Sequence, residues 1–312
     1  MSSSSTSTSP PPPPPSSLYA RTAAAVSGLL GPWLFMCLSL TYVPRAARTL
    51  LTQQQRPSPS PSSSSSFRRW WVRFTDVWFT LFWADGGRGM RAAAEPNVLP
   101  LLMGDGDGGV SGVVLELGAG AGLWVDVWAS APLRPRIERV YGVEPNADAH
   151  PALRRAVRRA GLDDDDDDFY EIVPVGIGED LGGKDKSKSK SKKWDGGRRR
   201  LDKGSVDCVV SILTLCSVPD PEAAVRELYA YLRDGGRFYV YEHVRSEHSW
   251  YMRLYQRFLN IFWPHLIGGC SLCRTTEKTI REAGPWSRIE VGQPPAEQWH
   301  HCLPHIRGVF TK

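Results

Sequence analysis

From Val113 onward, short apolar runs rich in β-branched and aromatic residues alternate with stretches of helical periodicity. That alternation predicts an α/β domain on a mostly parallel sheet, because parallel strands need a crossover, usually helical, to return. Five strands are predicted, at Val113 to Leu117, Ile137 to Val143, Tyr170 to Val175, Val206 to Leu213 and Arg237 to Tyr241. Between the last two, Asp220 is placed to cap a helix with Pro221 in its first turn. Val225, Leu228, Tyr229 and Leu232 give that helix one apolar face, and Gly235-Gly236 is expected to end it.

Upstream the pattern changes. Residues 1–17 are Ser, Thr and Pro with a single Met, a composition that leaves almost nothing to bury and predicts a disordered leader. Residues 18–50 read as a membrane anchor: Thr22 to Val43 carries no formal charge and is long enough to span a bilayer. Gly28, Gly31 and Pro32 in its middle suit a kinked or re-entrant segment equally well. A signal peptide would put its positive charge first, whereas Arg45, Arg48 and Arg56 follow the apolar run and favour a cytosolic position for the rest of the chain. A Ser/Pro linker fills 51–66. The segment 67–100, opening Arg68-Arg69-Trp70-Trp71, sets aromatic rings beside basic residues, as a headgroup layer or a lid over a substrate site would require. Residues 101–312 form the expected α/β domain.

Charge narrows the picture. The net charge is +5, but ten Lys and Arg against three Asp between Lys184 and Lys203 supply more than all of it. Nucleic-acid binding is therefore not implied. That tract, within a low-complexity insertion at 182–203, and the acidic run Asp163 to Asp168 read as solvated loops interrupting the domain. Six cysteines show no secreted disulfide framework, so a reducing compartment is expected. Cys270-x-x-Cys273 with His300, His301 or Cys302 could make half a zinc site, but no second pair at a finger-like spacing accompanies it, and no metal is expected.

Strand one runs into Glu116-Leu-Gly118-Ala-Gly120-Ala-Gly122, a turn whose missing side chains let a cofactor lie against the backbone and the following helix start. A dinucleotide site wants G-x-G-x-x-G; here the third glycine comes one residue early and Leu123 takes the later position. Glu144 ends strand two, where a carboxylate can accept from both hydroxyls of an adenosine ribose. Together these point to S-adenosylmethionine, with Glu116, Gly118, Gly120, Gly122 and Glu144 as its cradle. Strand three leads to Glu179 and Asp180 as alternative acceptors for the adenine amino group, and strand four brings Ser211 and Cys216 to the same crevice.

At this point a resemblance can be named. The strings SVDCVVSILTLCSV from Ser205, LRDGGRFYVYEHV, WPHLIGGCSLCR and PHIRGVF resemble the methyltransferase-like family seven, membrane-associated thiol S-methyltransferases of the class I, type 11 domain group. The glycine turn and Glu144-Pro145-Asn146 fit as well, and Pro145 joins the cofactor residues by that resemblance. It implies a Rossmann-like seven-stranded sheet, with Ser287 to Val291 and His305 to Phe310 as the last strands and the final one antiparallel. It further implies an endoplasmic reticulum or lipid droplet location and a small lipophilic acceptor. Family members commonly carry Asp where this chain has Glu144. The Ser/Pro leader, the acidic run and the Lys/Ser insertion lie outside the resemblance.

Methyl transfer from a sulfonium is an in-line displacement that chiefly needs positioning and desolvation. Glu242 and His243, ending strand five, are the candidates for orienting the acceptor or taking its proton, with Cys216, His265 and His305 as further pocket residues. The rings of Trp250 to Cys273 suit an apolar pocket or simple core packing. A thiol is the expected acceptor; a lipid, sterol or quinone taking methyl on oxygen or carbon is the alternative. A membrane-anchored adaptor without turnover would bear a damaged glycine turn or ribose acid, and this sequence shows neither. No obligate protein partner is evident.

Overall fold

The structure, a computed structural model, describes residues 18–53, 66–104, 108–163, 169–177, 201–247, 249–295, 297 and 301–312. The Ser/Pro leader, most of the linker, residues 164–168 of the acidic run and 182–200 of the insertion, with Glu179, Asp180 and His300, lie outside the described residues.

Three helices lead the chain: α1 (Leu18–Leu40), α2 (Val43–Gln53) and α3 (Ser66–Met103). The sheet and its crossovers follow as β1 (Gly112–Leu117), α4 (Val125–Trp128), β2 (Ile137–Val143), α5 (His150–Arg159), β3 (Tyr170–Val173), β4 (Val206–Ile212), α6 (Pro221–Tyr231) and β5 (Leu232–His243). Then come α7 (Trp250–Leu259), α8 (Trp263–Leu266), α9 (Thr276–Arg281), β6 (Arg288–Gly292) and β7 (His305–Thr311). Seven strands form one sheet in the order β3-β2-β1-β4-β5-β7-β6. The first five are mutually parallel, and β7 runs antiparallel to both its neighbours. The Rossmann-like seven-stranded fold is thus present, and its order reverses between β1 and β4, where open α/β sheets bind their ligands.

Side-chain alternation sorts the core onto two faces. Val114, Val140, Val210 and Tyr241 pack with the C-terminal half of α3 and with α4 and α5. Leu115, Leu117, Val209, Phe238 and Phe310 pack with α6 and α9. The Asp220 carboxylate accepts from the Ala223 N–H at 2.9 Å, as capping requires. Three of the boundaries that differ from the sequence reading have a local cause. Pro174 has no N–H for the ladder, so β3 ends at Val173 although Val175 stays buried. Leu213 takes φ 54° and leaves β4 at Ile212. Helix α6 ends at Tyr231, because Leu232 pairs with Val206, and Gly235 at φ 75° absorbs the resulting irregularity inside β5. On α6 it is Tyr231, with Ala224, Val225 and Leu228, that is buried, not Tyr229.

The N-terminal helices are part of the same body. The expected boundary at residue 100 falls inside α3: Val98, Leu101 and Leu102 sit in the sheet core, while Phe74, Val77 and Trp78 pack with Ala46 and Leu50 of α2. One stretch, Ala25–Thr52, is long and apolar enough to cross a membrane by length and composition, and only 17% of its most apolar window is buried. It is broken by the turn after Leu40. Its inner side packs on α7 and α8: Trp33 Nε1 donates to Tyr255 Oη at 2.8 Å and Ser39 Oγ to the Leu266 carbonyl at 2.6 Å. Met36, Phe82, Met252, Leu259 and Trp263 close this layer into an apolar roof that also touches Cys216 after β4.

Candidate active site

Between β1 and α4 the chain needs three left-handed residues in a row of alternate positions, Gly118 at φ 63°, Gly120 at φ 54° and Gly122 at φ 82°. Packing alone forbids a side chain at two of them. A Cβ on Gly118 would lie 2.5 Å from Thr214 Oγ1, and one on Gly122 would lie 2.5 Å from the Ala156 methyl. At Gly120 the nearest atom would be 3.8 Å away, so the space over it is left for something other than protein. Glu144 faces this turn, 8% exposed, with Oε2 accepting from the Gly120 N–H at 2.8 Å and Oε1 from the Asn146 N–H at 2.7 Å. Burial raises its pKa, and the two N–H donors oppose that rise. An exposed Pro145 completes the turn. Helix α3 reaches over it: Asn146 Nδ2 donates to Thr80 Oγ1 at 2.9 Å, and Arg73 pairs with Asp148.

Glu116 points away from the turn. Its Oε2 accepts from Trp128 Nε1 at 2.9 Å and Tyr170 Oη at 2.7 Å, and burial pushes its pKa to about 7 in spite of both bonds. Its contacts here fix the base of the turn from beneath. Ser211 is a correction to the expected cofactor set: it is fully buried and gives its hydroxyl to Glu242 at 2.6 Å. Glu242 is buried beside it. Its Oε1 also accepts from the Thr214 and Leu215 N–H groups at 2.7 and 3.0 Å, so this 0% exposed carboxylate anchors the strained turn after Leu213 with one oxygen, while its Oε2 is buried without a hydrogen-bond partner among the described residues.

The expected pocket residues divide. His243 and Cys216 come together with Cys270, the three donor atoms within 4.8 Å of one another. The neighbouring Cys270 thiol, then burial, push the Cys216 pKa well up. His305 stands beside His243, ring centroids 4.6 Å apart, stacks on Tyr241 and pairs with Glu297. Burial and then His243 outweigh Glu297 and bring its pKa down to about 4, which keeps it neutral. His265 is not part of this cluster: it is exposed on α8 at a cleft of about 310 Å³ with Trp71, Asp76 and Phe79, and the Asp76 carbonyl accepts from Asn146 Nδ2 beside Glu144. Among the described residues the zinc pairing expected around Cys270-x-x-Cys273 is not formed: Cys302 donates to the Gly28 carbonyl at 3.0 Å, and Cys270 turns to His243. Sequence reasoning missed Asn146, Thr214 and the part of Cys270; only Asn146, next to Glu144-Pro145, carried a local signal.

A parallel sheet reversing at a triple-glycine turn, with a carboxylate at the end of the next strand, defines the class I methyltransferase architecture. The methyltransferase domain family matches residues 87–283, starting inside α3, and this chain belongs to it. Thiol S-methyltransferase TMT1B of Homo sapiens is 32% identical over 208 residues, covering 65% of this chain and 73% of that protein. Thiol S-methyltransferase TMT1A of Homo sapiens is 39% identical over 110 residues, covering 35% of this chain and 45% of that protein. A crystal structure from Nostoc punctiforme PCC 73102, described as a candidate O-methyltransferase, aligns with a TM-score of 0.51 at 14% identity, over 92% of this chain and 71% of that one. That last likeness bears on the fold alone. The chain is a methyltransferase.

Proposed function

We propose that this enzyme moves the methyl group of S-adenosylmethionine to the sulfur of a small lipophilic thiol at a membrane surface. The observation that carries the cofactor part is the open space over Gly120 faced by Glu144, whose oxygens are held in place by backbone N–H groups. The thiol part is supported by the two human relatives, both named thiol S-methyltransferases.

Glu144 would accept from the ribose hydroxyls, Pro145 would flank them, and the glycine turn would lie against the rest of the cofactor. S-adenosylmethionine supplies an electrophilic methyl on a sulfonium whose positive charge is lost on transfer. The work left to the chain is positioning and the exclusion of water. The roof over β4 and β5 performs the second task, because Met252, Leu259 and Trp263 are essentially fully buried there.

Membrane association is supported by what the roof leaves outside. Leu30 and Leu34 of α1 are 52% and 69% exposed, and Trp250, Leu254 and Phe258 of α7 are 70%, 60% and 49% exposed. Trp33 joins the two helices through Phe258 and Phe262, and Arg253 and Arg257 flank the ridge. An apolar ridge edged by arginines suits a helix pair lying in one leaflet, on the cytosolic face of the endoplasmic reticulum or a lipid droplet. No protein or nucleic-acid partner is needed for this reading.

Labelled S-adenosylmethionine binding to the full chain, followed by a panel of alkyl thiols, catechols and quinones, tests it. Glu144→Ala should raise the Kd by about 10- to 100-fold, as expected for hydrogen bonds to a charged group, with a melting transition that is lowered but still cooperative. Equal binding by the variant would sink the cofactor site. Methyl appearing only on oxygen or carbon would overturn the thiol acceptor.

A further inference from the structure

Cys216, His243 and Cys270 come from three separate segments: the turn after β4, the end of β5 and the loop after α8. They meet in the interior, 2%, 5% and 4% exposed, with Cys270 Sγ 3.7 Å from His243 Nδ1. A tetrahedral ion with metal–sulfur bonds of about 2.3 Å and metal–nitrogen bonds of about 2.05 Å has S···N and S···S edges of roughly 3.6 and 3.8 Å. The Cys270–His243 edge already has that length, and all three donor atoms lie within 4.8 Å of one another.

Buried thiols alone behave as small hydrophobes. Cys208 and Cys302 fit that description, each donating to one backbone carbonyl. Cys216 Sγ also reaches the Leu213 carbonyl and Ser217 Oγ at 3.7 Å, and the imidazole beside it is what sets Cys216 and Cys270 apart. Among the described residues, its Nδ1 finds sulfur, and its Nε2 is buried with no hydrogen-bond partner. A histidine placed between two thiols and bound to no oxygen is a soft-metal donor set rather than an ordinary core pairing.

We propose that Cys216, His243 and Cys270 hold a divalent ion of the zinc type, whose fourth position takes the thiol acceptor. This rests on the thiol methyltransferase reading given above. Two features favour an open rather than a closed site. Among the described residues no fourth Cys, His, Asp or Glu joins the group, and three protein ligands are the mark of zinc sites that keep a position for substrate. The cluster also lies at the carboxyl ends of β4 and β5, two residues beyond Thr214, which packs against Gly118 of the cofactor turn.

The chemistry balances without a further reactant. An alkyl thiol ligating the ion gives its proton to solvent, because metal coordination deprotonates a thiol outright. Two cysteine thiolates neutralise the ion, so the bound substrate thiolate leaves the site with one negative charge facing the sulfonium. Its sulfur lone pair forms the new C–S bond as the sulfonium C–S bond breaks. The products are a thioether, a weak neutral ligand that departs, and S-adenosylhomocysteine.

The test uses the full chain in detergent. After equilibration with Zn²⁺ and gel filtration it should carry about one ion per chain, and Co²⁺ exchange should give sulfur-to-cobalt charge-transfer absorption. Cys216→Ser and Cys270→Ser should each lower occupancy by about tenfold or more, while Cys37→Ser and Cys273→Ser keep it; S-adenosylmethionine binding and melting curves report whether each variant is folded. Chelated wild-type protein should lose alkanethiol methylation by about tenfold or more, recover it with Zn²⁺, and bind S-adenosylmethionine throughout. Negligible zinc in the wild type, or chelated protein fully active on thiols, would overturn the metal site, and the second result would leave the thiol methyltransferase reading standing. Full zinc occupancy with methylation confined to oxygen or carbon acceptors would overturn that reading and the thiol's place at the ion.

Discussion

On its β1–β2 side the crevice is walled by main chain: three left-handed glycines and two backbone N–H groups that hold Glu144, all from one strand–turn–helix–strand unit and the turn that follows. On its β4–β5 side the walls are side chains from α1, α3, α7, α8 and the loop beyond, segments more than two hundred residues apart in sequence at their extremes. Backbone atoms set at fixed φ make a wall that tolerates little change, which suits a ligand of constant shape. A roof of Met, Leu, Trp and Phe can be resized one side chain at a time, which suits acceptors that differ. The roof also carries the exposed apolar ridge, so the route from a membrane and the acceptor site share the same helices.

The contrast can be broken most forcefully at Gly122. A valine there combines φ 82° with a Cβ 2.5 Å from Ala156, and it should destabilise the protein by about 3 kcal/mol or more and abolish cofactor binding. Chemical denaturation beside equilibrium dialysis measures both, and a stable variant that still binds would show the turn to be pliable. Glu116 beneath the turn comes next. Burial favours its protonated form, so its contribution to stability is full below about pH 4.5 and is lost as pH rises through about 7, a difference on the order of 3 kcal/mol. Glu116→Gln should keep the bonds from Trp128 and Tyr170 and flatten that slope; melting curves at pH 5 and pH 8 that fall as steeply as in the wild type would place the ionisation elsewhere. The smallest effect is expected in the roof. Trp33→Phe removes one hydrogen bond to Tyr255, worth about 1 kcal/mol, and should lower Tm by roughly 2–4 °C while leaving the affinity for S-adenosylmethionine unchanged. A matching loss of affinity would mean that the two walls are not independent.

The cofactor wall was the legible part of this site. Gly118, Gly120, Gly122 and Glu144 are recognisable because a left-handed turn demands glycine and a ribose demands a carboxylate one strand later, both within some thirty residues of chain. Ser211 was misplaced for a reason that is equally physical. Position at a strand end does not reveal which way a side chain turns, and here its hydroxyl is given to Glu242 inside the core. The sequence reading also set a boundary at residue 100, which falls inside α3 because both halves of that one helix are held by packing, its first half on α2 and its second in the sheet core.

What the sequence determined by itself is therefore local: the mostly parallel sheet, whose first five strands it located to within a few residues apart from the early start of β5, the Asp220 cap and the glycine turn with its acid; the last two strands came with the family resemblance. Periodicity, capping and positive φ are properties of a few neighbouring residues, so they survive in a one-dimensional reading. Tertiary structure decided the rest. It folded α1 onto α7 and α8, turned Glu116 and Glu242 inward, and brought Cys216 and Cys270 to His243. Such meetings depend on sheet order and crossover paths, which set the distance between residues far apart in the chain and leave no mark at any one position.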